Sequence, residues 1–218
     1  TYTLLQMEEQ YSINTRKFSL QRFKGILKTK QILPGRIILK EKIEERFRVL
    51  DDCGINTLFG LLKALNSKEK IIEFAEKSGL DVEYLIILRR EANSYISTPV
   101  RLKELFYREP SILSKLEQQG IKDSKQLFNA CYTMQARKQL AAKIEIPEEK
   151  LRELVILCDF SRITGVGPIF ARIMYDAGIR SAKEFLLGSA EEMYERLSRF
   201  NDEKQYTKAK FSLKDIEY

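Results

Sequence analysis

Glycine or proline interrupts this chain at 34–35, 54, 79, 99, 110, 120, 147, between 165 and 168, and at 178. Both residue types break regular structure, glycine through conformational freedom and proline through its missing N–H. The stretches between them are each about one helix long, so short helices joined by tight turns are the architecture this spacing permits. Inside the stretches, apolar residues recur at intervals of three and four. FSLQRFKGILKTKQIL sets Phe18, Phe23, Ile26, Leu27 and Leu33 near one face, and Leu39, Ile43, Phe47 and Leu50 continue beyond Pro34-Gly35. IIEFAEKSGLDVEYLIILRREA reads as a helix, a Gly79 stop and a second helix with Asp81 as N-cap. EIPEEKLRELVILCDF repeats that design with Pro147 in the first turn. Strand-like alternation is missing, and only YTLLQMEEQYSI allows either state.

An internal repeat runs through these pieces. With residue n laid over n+66, Leu50-Asp-Asp-Cys-Gly54-Ile55 falls on Leu116-Glu-Gln-Gln-Gly120-Ile121. Leu61 falls on Leu127, Phe74-Ala75 on Leu140-Ala141, Leu85 on Leu151 and Leu88 on Leu154. A third, partial copy reads Met174-Tyr-Asp-Ala-Gly178-Ile179, with Phe185 in the place of Leu61 and Leu127. The divisions this predicts are a basic N-terminal segment with a helix (1–35), a first helical repeat (36–101), a second (102–167) and a partial third with a tail (168–218). The chain opens on Thr1 without methionine and stops at KFSLKDIEY, which reads as the start of a helix, so both ends are expected to be trimmed.

Composition narrows the chemistry. A net charge of +7 raises the odds of an anionic partner. The excess lies in residues 1–50, with 11 Lys+Arg against 5 Asp+Glu, whereas residues 151–218 balance. A solvated helix face and a nucleic-acid contact both fit such an excess. Histidine is absent, which removes the commonest general base and transition-metal ligand. Cys53, Cys131 and Cys158 form no CxxC pair, so three reduced, mostly buried thiols in a cytoplasmic protein are expected, with neither zinc nor any other metal or cofactor. No apolar run approaches a membrane span, and no signal peptide is visible. Phosphate-binding and hydrolase signatures are missing as well, so an enzyme is not expected.

The stretch ITGVGPIFARIMYDAGI carries the sharpest functional signal. It predicts a helix from Leu151 to Arg162, a turn over Thr164, Gly165, Val166 and Gly167, and a second helix from Pro168 to about Tyr175 that Gly178 ends. The order apolar, polar, Gly, apolar, Gly, then Ala171 resembles the helix-hairpin-helix motif. That likeness implies that Val166 plugs the space between the helices and that Ala171 lets them pack. It also implies an anion site for a nucleic-acid phosphate, formed by backbone N–H groups of Gly165, Val166 and Gly167 with the following helix N-terminus. Arg162, Arg172 and Lys183 would supply charge, with Arg180 also in reach. Such contacts hold a backbone and read no bases. Against this stand Ile169 and Phe170 where DNA-binding hairpins often carry a cation, and Pro168, which removes a donor. The alternative is a protein-interaction scaffold in which the hairpins only connect helices; no small-molecule substrate and no membrane partner are indicated.

Other clusters have plainer explanations. Arg89-Arg90-Glu91 suits a helix-end cluster with intrahelical pairing, or a second phosphate contact. Tyr84, Tyr95, Tyr107 and Tyr132 suit core edges, or stacking on bases. Asp159, Asp176 and Glu184 suit caps and surface pairs, or a nuclease-type metal cluster.

Taken together, LPGRIILKEKI, YLIILRREANSYISTPVRLKEL, LEQQGIKDSKQLF and ELVILCDFSRITGVGPIFARIMYDAGIRSAKEF resemble the family called domain of unknown function 4332, from about residue 10 to the end. The resemblance implies an all-α protein of tandem helix-hairpin-helix-like (SAM-like) repeats. It brings no established activity; a nucleic-acid role is inferred for such proteins from the motif. Family members usually continue past Tyr218 with a further apolar helix.

Overall fold

The structure is a computed structural model that describes residues 10–106, 109–163, 165–208, 211–213 and 216. The described residues are helical, with two isolated bridges, Ser19 to Thr57 and Arg101 to Asp123, and no strand. They group into two compact units: one is Ile13–Ile96, and the other joins the segment ending at Ser12 to Ser97–Tyr218.

The first unit contains α1 (Leu20–Thr29), a 3₁₀ turn (Pro34–Leu39), α2 (Ile43–Asp52), α3 (Leu58–Ala64), α4 (Lys68–Ser78) and α5 (Val82–Asn93). Pro34-Gly35 interrupts the apolar periodicity as expected. Ser19, Thr57, Ser67 and Asp81 each accept an N–H of the first turn they precede, on α1, α3, α4 and α5. Phe23, Leu27, Phe47, Leu61, Leu85 and Leu88 are fully buried in the core, each contributing on the order of 1.5–3 kcal/mol, and Tyr84 is fully buried with them. Glu91, 1% exposed, corrects the expectation of intrahelical pairing. Its carboxylate receives Lys30, the residue that caps the end of α1, at 2.8 Å and Arg36 from the 3₁₀ turn. A buried carboxylate needs such partners, and Arg89 and Arg90 on its own helix point elsewhere.

The second unit contains α6 (Leu102–Leu105), α7 (Pro110–Gln118), α8 (Ser124–Cys131), α9 (Met134–Lys143), α10 (Glu148–Phe160), α11 (Pro168–Asp176), α12 (Ala182–Leu187) and α13 (Ala190–Lys204). Helix α10 is its axis: Leu151, Leu154, Leu157, Cys158 and Phe160 are buried, and α8, α9, α11 and α12 all pack on it. Residues 10–12 are tied into this unit. The Tyr11 hydroxyl meets Ser124 Oγ at 2.6 Å and Ser161 Oγ at 3.1 Å, and Ser12 Oγ donates to the Ser97 carbonyl at 3.0 Å. Of the C-terminal stretch expected to begin a helix, only short pieces lie among the described residues, where Ile216 N–H donates to Leu213 O at 2.9 Å.

One turn geometry occurs three times. Gly54, Gly120 and Gly178 have φ of 80°, 77° and 87°. At each, the glycine N–H donates three residues back and the next isoleucine N–H five back. The pairs are Gly54 to Asp51 with Ile55 to Leu50, Gly120 to Glu117 with Ile121 to Leu116, and Gly178 to Tyr175 with Ile179 to Met174. A capping residue then opens the next helix, Thr57, Asp123 or Ser181. A second cap follows at Ser67, Thr133 or Ser189. Leu61, Leu127 and Phe185 are buried at matching places.

Candidate functional site

The hairpin of interest joins α10 to α11. Ser161 ends α10, with its N–H on Leu157 O, and Ile163 N–H donates to Phe160 O at 2.9 Å. Thr164 lies outside the described residues. Gly165 has φ of 90°, where a side chain would be strained. Val166 is 6% exposed and belongs to the core of its unit, so its side chain fills the turn from inside. Gly167 caps α11 with φ of −85°, and Ala171 is fully buried.

The backbone donors are not those expected in full. Val166 N–H donates to Ile163 O at 3.0 Å, so it serves the turn itself. The N–H groups of Gly165 and Gly167 have no partner among the described residues, and both glycines are exposed. The first turn of α11 adds free donors, as any helix start does, less the one Pro168 lacks. Gly167 has neither of the usual reasons for being glycine. Its φ is ordinary, and a Cβ placed on it would meet nothing within 4 Å.

The expected cations divide sharply. Arg162 is 6% exposed. Its guanidinium bonds Asp159 at 2.7 Å and the Gln10 carbonyl at 2.8 Å, and stacks 4.7 Å from the Phe128 ring centre. Its carbonyl accepts Ser97 Oγ at 2.9 Å. Arg162 is therefore a buried anchor for residues 10 and 97, not an outward phosphate ligand as expected. A buried guanidinium is stable only with such partners. Arg172 bonds Glu153 at 2.6 Å and lies 3.8 Å from Asp176. Glu153 also receives Lys150, which reaches Glu109 at 2.5 Å, so Glu109, Lys150, Glu153 and Arg172 run as one chain that Asp176 extends. Burial pushes Glu153 up, but the hydrogen bonds from Arg172 and Lys150 outweigh it and hold the carboxyl below its ordinary range. For Lys150, burial lowers the amine, and Glu109 and Glu153 more than reverse this, leaving it raised. Arg180 turns back onto the carbonyls of Tyr175 and Ile179. Lys183, exposed on α12, has no ion pair among the described residues. With Tyr132, Val155 and Ile156 it lines a groove of about 280 Å³.

The acidic residues around the hairpin have internal roles. Asp159 accepts Ala182 N–H at 2.7 Å besides holding Arg162. Asp176 accepts the Tyr206 hydroxyl, and Glu184 accepts Arg180 N–H at 2.8 Å. Among the described residues no group of three such side chains is placed to hold a metal. Cys131 and Cys158 are buried and Cys53 half-buried, all as free thiols. No helix among the described residues is long and apolar enough to cross a membrane. Tyr107 lies outside the described residues; Tyr84 and Tyr95 are buried, and Tyr132 is 42% exposed.

Among the described residues the protein is all-helical, and an exposed glycine hairpin joins α10 to α11 in its second unit. Residues 109–217 match the family model described as Domain of unknown function (DUF4332), and the chain belongs to that family. The match contains the hairpin and leaves out RREANSYI, which lies in the first unit. Neither a curated protein nor a solved structure matches the chain.

Proposed function

We propose that this protein binds nucleic acid by its sugar-phosphate backbone, without base readout or a catalytic step, at the turn Gly165-Val166-Gly167 and the start of α11. On this view the α10–α11 pair is a helix-hairpin-helix unit in a tandem array of such units. The observation that carries it is Gly167: an exposed glycine with ordinary φ and empty space beside it gains nothing for the fold. The missing side chain leaves room for a close partner, and the exposed N–H groups of Gly165 and Gly167 suit an anion there. DNA is the partner we favour, in the cytoplasm, where the three free thiols would remain reduced. Because Arg162, Arg172 and Arg180 are internally paired, Lys183 is the remaining cation of the expected set. The salt dependence should therefore be shallow, with a log–log slope of about −1 per phosphate neutralised.

The test is fluorescence anisotropy of labelled single- and double-stranded oligonucleotides across salt concentrations, with Gly167→Glu and Lys183→Glu beside the parent. Gly167→Glu meets no steric obstacle in the fold, so its thermal midpoint should stay put while binding drops on the order of tenfold, about 1.4 kcal/mol. Absence of binding at low salt by folded protein overturns the proposal. Ile169, 50% exposed beside the turn, favours a second reading, a protein partner seated on the hairpin. Binding of a partner protein lost in Ile169→Asp, with no oligonucleotide binding by the parent, would establish that instead.

A further inference from the structure

The first unit carries an exposed apolar groove that the hairpin does not explain. Helices α4 and α5 meet at Gly79, and between them lies a groove of about 320 Å³. Ile72 and Val82 line it at 41% and 38% exposure, with Ile86 half-buried beside them. Its charged lining residues are Lys68, Arg89 and Arg90, and no carboxylate lines it. None of the three cations forms an ion pair among the described residues, and Arg89 only donates to the Asn66 carbonyl at 2.8 Å. Aliphatic side chains are thus left in water inside a one-signed cationic rim.

We infer that this groove docks a short amphipathic segment of another protein, with aliphatic or aromatic residues on one side and Asp or Glu flanking them. Charge selects this occupant. Apolar side chains would cover Ile72 and Val82, and carboxylates would meet Lys68, Arg89 and Arg90, the complementary potential that steers association. A second copy of this chain is disfavoured. Self-pairing about a twofold axis would set the three cations against their own counterparts. Nucleic acid is a poor match because the lining offers no ring for a base to stack on. The inference is independent of the hairpin proposal and uses different residues.

A random peptide library displayed on phage would be panned on the full chain, with Ile72→Glu as counter-selection. The exposed position of Ile72 makes that variant compatible with the fold. Enriched peptides should combine apolar residues with Asp and Glu, and a synthetic copy should bind Ile72→Glu and the double variant Arg89→Glu/Arg90→Glu at least about tenfold more weakly. A peptide with its carboxylates changed to lysine should prefer the double variant, a reversal that misfolding cannot produce. Gly167→Glu should bind the original peptide normally. Four results would overturn the inference: no enrichment over the counter-selection, enriched peptides without acidic residues, self-association abolished by Ile72→Glu, or oligonucleotide binding abolished by it.

Discussion

The carboxylate of Asp159 lies 2.7 Å from the guanidinium of Arg162 on one oxygen and accepts the N–H of Ala182 at 2.7 Å on the other. One side chain thus fixes the end of α10, the buried cation beyond it and the start of α12. Asp159→Ala would leave a buried guanidinium without its counter-ion and a helix start without its acceptor. Chemical denaturation should show a loss of about 3 kcal/mol. A loss below about 1 kcal/mol would mean that Arg162 finds water instead.

Glu145 stands where the repeat spacing puts the counterpart of Gly79, and both have left-handed backbone, with φ of 53° and 70°. A Cβ in that region costs about 1 kcal/mol. Glu145→Gly should therefore stabilise the protein by roughly 0.5–1 kcal/mol, and Gly79→Ala should destabilise it by a similar amount, both read from urea midpoints. The Lys115 contact to Glu145 uses the backbone carbonyl and survives the change.

Acid should weaken the links that Glu153 makes to Lys150 and Arg172. The Glu153 carboxyl is held below its unfolded value, near 4.3. Its contribution is present above that pH and is lost as pH falls through the lower folded value. Lys150 is raised instead. Its contribution is complete below the unfolded amine value, near 10.4, and is lost as pH rises through the folded one. The urea midpoint of Glu153→Gln should lie below that of the parent at pH 7, and the gap should shrink as pH falls through and below the unfolded carboxyl value. A gap that does not shrink would remove these links as its source.

Thiol chemistry should separate the three cysteines. Burial pushes Cys131 up to about 11 and Cys158 well above its ordinary value, so neither supplies thiolate at neutral pH. Cys53 is only half-buried. Maleimide labelling of native protein followed by mass spectrometry should modify Cys53 first. Rapid labelling of all three without denaturant would contradict the packing of α8 and α10.

The turns of this fold are legible in its sequence because their chemistry is local. Gly54, Gly79, Gly120 and Gly178 adopt the left-handed backbone that glycine tolerates best, and Asp81 caps α5 as its place before an apolar run suggests. The fate of Arg162 is not local. Beside a glycine turn an arginine looks like a phosphate ligand, yet contacts with the distant Gln10 and Phe128, and with Asp159, turn it inward. Glu91 misleads in the same way. Its neighbours Arg89 and Arg90 suggest short-range pairing, yet its partners Lys30 and Arg36 lie far back in the chain. Gly167 is the reverse case: a glycine visible at once, whose purpose emerges only when the space around it proves empty.

Tyr11 finds Ser124 and Ser161 across 113 and 150 residues of chain, and Ser12 bonds Ser97 at the far border of the first unit. The first unit is thus a guest inserted into a host that both precedes and follows it. On the ribosome the guest can close as soon as it emerges. The host must hold its opening strand of residues unplaced until α8 and the end of α10 have been made, so its completion waits on synthesis.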